Sequence, residues 1–106
     1  MGTGRKHIPD LIFDIKYTKA EILEKQKRNA EPVYREIIES DENWKYFAKQ
    51  PYQSTILGKA IEDREQQKKY GKAHFELGRM KYNNGNYENA LLFLEMALLY
   101  RYKPEL

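Results

Sequence analysis

An all-α protein, with an extended or irregularly helical N-terminal part leading into a C-terminal helix-turn-helix hairpin, is what this sequence predicts, on three observations. Val33, Tyr34, Ile37, Ile38, Trp44 and Phe47 recur at helical spacing. From Ala90 to Tyr100 only Glu95 is charged, so a helix laid over this segment is apolar on almost every side and needs cover from more than one direction. Between these regions, "NNGN" at Asn83 to Asn86 is the clearest turn in the chain. Gly85 can take the left-handed conformation that closes one helix, and Asn86 can cap the next.

The elements follow in order. Residues 1–17 read as a flexible or extended tail, with two glycines, a basic cluster and Pro9; "LIFDIKY" at 11–17 is a short strand or an extended stretch lying on a partner. Residues 18–70 read as an irregular helical segment. Thr18 is placed to cap "KAEILEKQKRNA", a helix with only Ile22 and Leu23 as large apolar residues. Glu31-Pro32 interrupts that helix or begins a new one, because proline fits a first helical turn and disfavours helix in the residue before it. A break falls near Ser40-Asp41, and "QPYQS" is a turn. Ser54 can cap a further helical run whose preferred break or kink is Gly71. Residues 71–106 then form a hairpin, 72–83 against 87–102, ended by Pro104.

At this hairpin Leu77-Gly78, Gly85, Tyr87, Ala90, Leu94 and Ala97 stand at spacings that matter together. Over 71–104 the sequence resembles a tetratricopeptide repeat, a two-helix unit of about 34 residues with small residues where its helices cross. Leu77-Gly78 matches the Leu-Gly pair of the first helix, and Ala90 with Leu94 matches the Ala-x3-large element of the second. Ala97 matches the second small site. The resemblance implies that Gly78 and Ala90 let the backbones approach, so that Phe75, Leu77, Tyr82 and Leu94 interlock. The chain departs from the pattern at His74, where a large apolar residue is usual, and at Lys81, where Tyr is usual. Its proline also arrives late. A second repeat upstream is rejected, because Pro51 breaks its first helix and Arg64 and Gln67 occupy sites that should be apolar and small.

Such units need neighbours for stability, yet the sequence stops at Leu106. Leu91, Leu92, Leu98, Leu99 and Tyr100 are therefore the candidate partner interface. One face of helix 87–102 is expected to be covered by 72–83, another by apolar residues of 33–61, and the remainder by another chain.

Composition bounds the rest. A third of the 106 residues are charged, and mean hydropathy is −0.91. The 19 basic and 16 acidic residues are interleaved, giving a net charge of +3 and a mild bias toward acidic surfaces. No apolar signal core opens the chain, Lys6 stands where a myristoylation signal has Ser or Thr, and no stretch is long enough for a membrane span. The expectation is a soluble cytoplasmic protein with no membrane partner.

Catalytic chemistry has little to stand on. The absence of cysteine removes disulfides, thiolate zinc sites and cysteine nucleophiles. His7 lies in the tail and His74 in a helix, so no metal site or histidine-based triad is read, and His74 is a packing residue. The acidic run Glu36, Glu39, Asp41 and Glu42 reads as a solvated face with a helix cap. No phosphate-binding glycine loop occurs, and neither an enzyme nor a cofactor is expected. Nine tyrosines are many for this length. Tyr17, Tyr34, Tyr46, Tyr52 and Tyr70 are either helix-packing aromatics or interface residues.

These readings converge on a non-enzymatic interaction protein, a structural subunit or adaptor of a larger intracellular assembly. Small tetratricopeptide-bearing subunits occur in ciliary axonemes, and a chain rich in Lys and Tyr suits an acidic tubulin surface. That analogy makes tubulin or axonemal proteins the named candidates, and the cytoskeleton or cilium the named location. The alternative is a basic helical RNA- or ribosome-associated protein, whose aromatics would stack on bases. A peptide-binding co-chaperone ranks third, since one repeat builds no concave groove.

Overall fold

The computed structural model describes residues 8–49 and 61–104. The described residues form five helices and no strand: α1 (Ile8–Lys25), α2 (Glu31–Ile38), α3 (Glu42–Lys49), α4 (Arg64–Asn83) and α5 (Tyr87–Leu99). Helix α1 packs on α2, α2 on α4, and α4 on α5. The side chain of Phe47, the turn expected at "QPYQS", the Ser54 cap, Tyr52, His7 and the first seven residues lie outside the described residues.

Helix α1 corrects the reading of the N-terminus. Residues 8–17, expected as tail or extended chain, are helical and continuous with the segment that Thr18 was expected to begin. Pro9 sits in the first turn, where its missing N–H is not needed. Thr18 is mid-helix and turns its hydroxyl back to donate to the Asp14 carbonyl at 2.9 Å. The periodicity is obscure in the sequence because α1 has two apolar faces. Phe13, Tyr17 and Ala20 pack inward, while Leu11, Ile15 and Ile22 face out.

Glu31-Pro32 opens α2, with the Asn29 side chain accepting from the Glu31 N–H at 3.0 Å. Val33, Tyr34, Ile37 and Ile38 are all buried, as their spacing requires. The expected break at Ser40-Asp41 is present, and Asp41 opens α3: its carboxylate accepts from the Asn43 N–H at 3.0 Å. Asp63 caps α4 by accepting from the N–H groups of Glu65 and Gln66 at 2.9 and 3.3 Å. Helix α4 runs unbroken through Gly71, so the break expected there is absent. Gly71 serves a close approach instead, for a Cβ there would stand 3.2 Å from the Cβ of Tyr102.

Three helices end in one way. After α4, Gly85 (φ 80°) is the left-handed residue; its N–H donates to Tyr82 O and that of Asn86 to Lys81 O. Lys27 (φ 57°) after α1 and Arg101 (φ 55°) after α5 repeat this pattern without glycine. These are Schellman closures, which satisfy carbonyls left over at a helix end. Only the glycine version was legible in the sequence. Asn86 occupies the cap position of α5, but its side chain makes no capping bond, and α5 ends at Leu99, short of the expected 102.

The hairpin is the tightest contact of the fold. At Gly78 an added Cβ would lie 2.7 Å from both Cγ and Cδ2 of Leu94 and 3.3 Å from the Ala90 carbonyl oxygen, so nothing larger than glycine fits without displacement. Ala90, Leu77 and Ala97 are buried around it. Tyr82 does not interlock there as expected: it is exposed and packs beside Tyr87, ring centroids 5.6 Å apart.

Replacing Gly78 by Leu, or Ala90 by Phe, is expected to force α4 and α5 apart and lower unfolding free energy by about 1–3 kcal/mol. Urea denaturation measures this, and wild-type midpoints in both variants would mean that these residues do not set the helix separation.

Candidate interaction surface and the buried Asp41 centre

The surface is defined by what the core takes from α5. Phe93, Met96, Ala97, Leu99 and Tyr100 face inward, with Phe93 stacked on Trp44 of α3 at 4.8 Å. Of the five residues expected to meet a partner, two are therefore misassigned: Leu99 is 8% exposed and Tyr100 fully buried. Their cover comes from the chain itself, because the Ile61 N–H donates to the Leu99 carbonyl at 2.7 Å and the Tyr100 hydroxyl reaches Asp41. Leu92 is half-buried. Leu91 and Leu98 remain outside, 60% and 74% exposed, and with Tyr87 they make a stripe along one side of α5.

Tyr100 is held inward by a polar centre. Asp41 Oδ1 accepts from the Tyr100 hydroxyl at 2.5 Å and from the Asn43 N–H at 3.0 Å, while Oδ2 faces His74 Nε2 at 2.7 Å. Asn43 Nδ2 donates to Tyr100 Oη at 3.3 Å and to Gln66 Oε1 at 3.1 Å. The His74 ring stacks on Tyr100 at 5.7 Å and lies beside Trp44 and Phe93.

Burial drives the His74 ionisation below the usual histidine range, against the opposing hydrogen bond and charge of Asp41. The ring is thus neutral. Because a carboxylate only accepts, Nε2 carries the proton, and Nδ1 is left as a buried acceptor with no hydrogen-bond partner among the described residues. Burial likewise pushes the ionisation of Tyr100 upward, and the hydrogen bond to Asp41 adds to it. With side-chain exposures of 0% and 1%, His74 and Asp41 are closed to a substrate and act as a structural link.

Sequence reasoning placed Asp41 on a solvated acidic face with a helix cap; the cap is present, but Asp41 is among the most buried polar residues. The available signal was its position at the break between two helical runs, immediately before a polar first turn. The tyrosines also resolve. Tyr17 donates to the Lys69 carbonyl at 2.6 Å and accepts from the Ala73 N–H at 3.1 Å, bridging two groups that an α-helix ordinarily joins to each other. Tyr34 donates to Glu24 at 3.3 Å, and Tyr70 shares a 2.8 Å bond with Ser40. These three are internal packing residues, whereas Tyr46 is half-exposed. Lys81, at a site where the resemblance expects Tyr, pairs with Glu31 at 3.1 Å.

Among the described residues, no helix is long and apolar enough to cross a membrane, and no group of three or more His, Asp or Glu side chains is placed to hold a metal ion. No protein-family model, curated protein or solved structure matches the chain.

Asp41→Ala strands three donors in the core and is expected to cost at least about 3 kcal/mol of unfolding free energy. Measurement by urea denaturation gives the answer, and a loss below about 1 kcal/mol would contradict the assigned role. The His74 shift also has a sign. Its folded value is depressed, so as pH falls through about 6.5 the unfolded chain takes up the proton first and stability declines, by at most about 1.4 kcal/mol per pH unit. Denaturation midpoints between pH 8 and 5 should show this slope, and His74→Gln should flatten it.

Proposed function

We propose that this protein is a non-catalytic subunit or adaptor of a larger assembly, docking through the outer stripe of α5. The observation that carries the reading is the exposure of Leu91 and Leu98 on a helix whose opposite side is fully committed to the core. Burying one such leucine is worth about 1.5–3 kcal/mol, so the two together with Tyr87 favour association strongly. The tetratricopeptide resemblance supports the same reading, because in that family the outer side of a hairpin is where a neighbouring element packs. The Asp41–His74 pair supports it differently: it is spent inside the fold. Tubulin in an axonemal or cytoskeletal setting is the named candidate partner, by analogy of composition alone.

Leu91→Lys with Leu98→Lys tests the proposal. Both positions face solvent, so stability should stay within about 0.5 kcal/mol of wild type, while proteins captured by the tagged chain from its own cells should be lost. Undiminished capture by the double variant would refute the assignment of this face. Co-sedimentation with microtubules tests the tubulin candidate, with wild type pelleting and the variant remaining in solution. RNA association would announce itself by a steep fall of affinity with salt and by dependence on Lys68, Lys69 and Lys72; that result would replace this proposal.

A further inference from the structure

Helix α1 presents a second unpartnered face, independent of α5. Leu11, Ile12, Ile15 and Ile22 stand in solvent, Ile15 at 65% exposure, while Phe13, Tyr17 and Ala20 on the other side are packed against the body. Along the outer face Leu11, Ile15, Thr18 and Ile22 step by four, three and four residues. That is the d, a, d, a spacing of a coiled-coil seam. A shallow groove of about 590 Å³ follows this line and is bordered by Lys19 and Arg28.

We propose that this face is a homodimer seam, in which two copies of the chain pair their α1 helices in parallel as a short two-stranded coiled coil. The residue types fit: isoleucine at both a sites and leucine at the first d site favour two parallel strands. Thr18 at the second d site has its hydroxyl already satisfied by the Asp14 carbonyl, so it enters the seam without a stranded donor.

The charges select a second copy and its direction. In this register Asp14 and Glu21 are g sites, and Lys19 and Gln26 are e sites. A parallel pair sets each g residue against the e residue five positions on in the other chain, placing Asp14 beside Lys19 of the second copy and Glu21 beside Gln26 of the second copy. An antiparallel pair sets Asp14 beside Glu21 of the second copy, twice, as like charges. The flanks are therefore complementary to themselves only when the helices run together. Lys25, at the next d site, ends the seam after roughly two heptads. So short a seam is below the size of a standard interface, and it works with helices that each body has already folded. The dimer is accordingly weak, with a dissociation constant between about 1 μM and 1 mM.

The experiment uses the full chain carrying Leu91→Lys and Leu98→Lys, so that the α5 face contributes nothing. Sedimentation velocity from about 10 μM to 1 mM is expected to show a monomer–dimer equilibrium. Ile15→Lys, at an exposed site, should leave the circular dichroism and melting unchanged and weaken the dimer at least about tenfold. Lys19→Glu and Asp14→Lys should each weaken it, whereas their mixture restores it, because both pairs between positions 14 and 19 are then of opposite sign.

Direction is read by disulfide formation, which the cysteine-free sequence makes clean. Residue 18 meets its own counterpart only in the parallel arrangement, within the roughly 7 Å Cα separation a disulfide allows. Thr18→Cys should oxidise to a covalent dimer at least about tenfold faster than Glu39→Cys, an exposed control away from the seam. A monomer at every concentration overturns the proposal. So does association that Ile15→Lys leaves intact, or a Thr18→Cys rate no greater than the control.

Discussion

The placement of the C-terminal hairpin on the N-terminal helices depends on one buried carboxylate. Asp41 opens α3 through the Asn43 N–H, reaches α4 through His74 and holds Tyr100 at the end of α5. A carboxylate taken out of water carries a large desolvation cost, and only a full set of donors offsets it. Those donors come from three parts of the chain, so the centre is satisfied in one arrangement of the helices and not in others. The aromatic rings of Trp44, Phe93 and Tyr100 enclose the His74 ring and exclude water from the link. The unpartnered Nδ1 of His74 is the residual cost of that enclosure.

This centre also decides which apolar surfaces remain exposed. By drawing Tyr100 inward and bringing α3 onto Phe93, it consumes one side of α5 and leaves Leu91 and Leu98 on the other. On α1 a similar division arises from tyrosine. The Tyr17 hydroxyl is fixed between Lys69 and Ala73 of α4, which turns Leu11, Ile15 and Ile22 away from the body. Each helix thus owes its exposed apolar stripe to a polar tip anchored on the opposite side. Tyrosine and aspartate, more than the aliphatic residues, orient the fold.

Much of the hairpin was legible in the sequence. Glycine at 78 and alanine at 90 announced a close crossing, and Gly85 announced the turn, because backbone approach and left-handed backbone leave few alternatives. The α2 core and the break at Ser40-Asp41 were equally readable from spacing. Illegible were α1, where two apolar faces cancel the period that betrays an amphipathic helix, and the non-glycine closures at Lys27 and Arg101. The exposed side of α5 was only partly legible: the sequence marks α5 as apolar all round, but spacing cannot say which side the rest of the chain will cover.

Local properties, then, were determined by the sequence alone: the all-α class, the turn at 83–86, the small residues at the crossing, and the excess of apolar surface on α5. Each follows from backbone conformation or from periodicity within one element. What only the tertiary structure decided was the fate of individual side chains. Asp41 became a buried hub instead of a solvated acid, Tyr100 and Leu99 became core, and Gly71 became a contact for Tyr102 instead of a helix break. The reason is distance along the chain. Asp41 and Tyr100 are 59 residues apart, and Tyr17 and Ala73 are 56 apart. Burial and hydrogen bonding at such separations depend on how helices pack, which no local window of sequence contains.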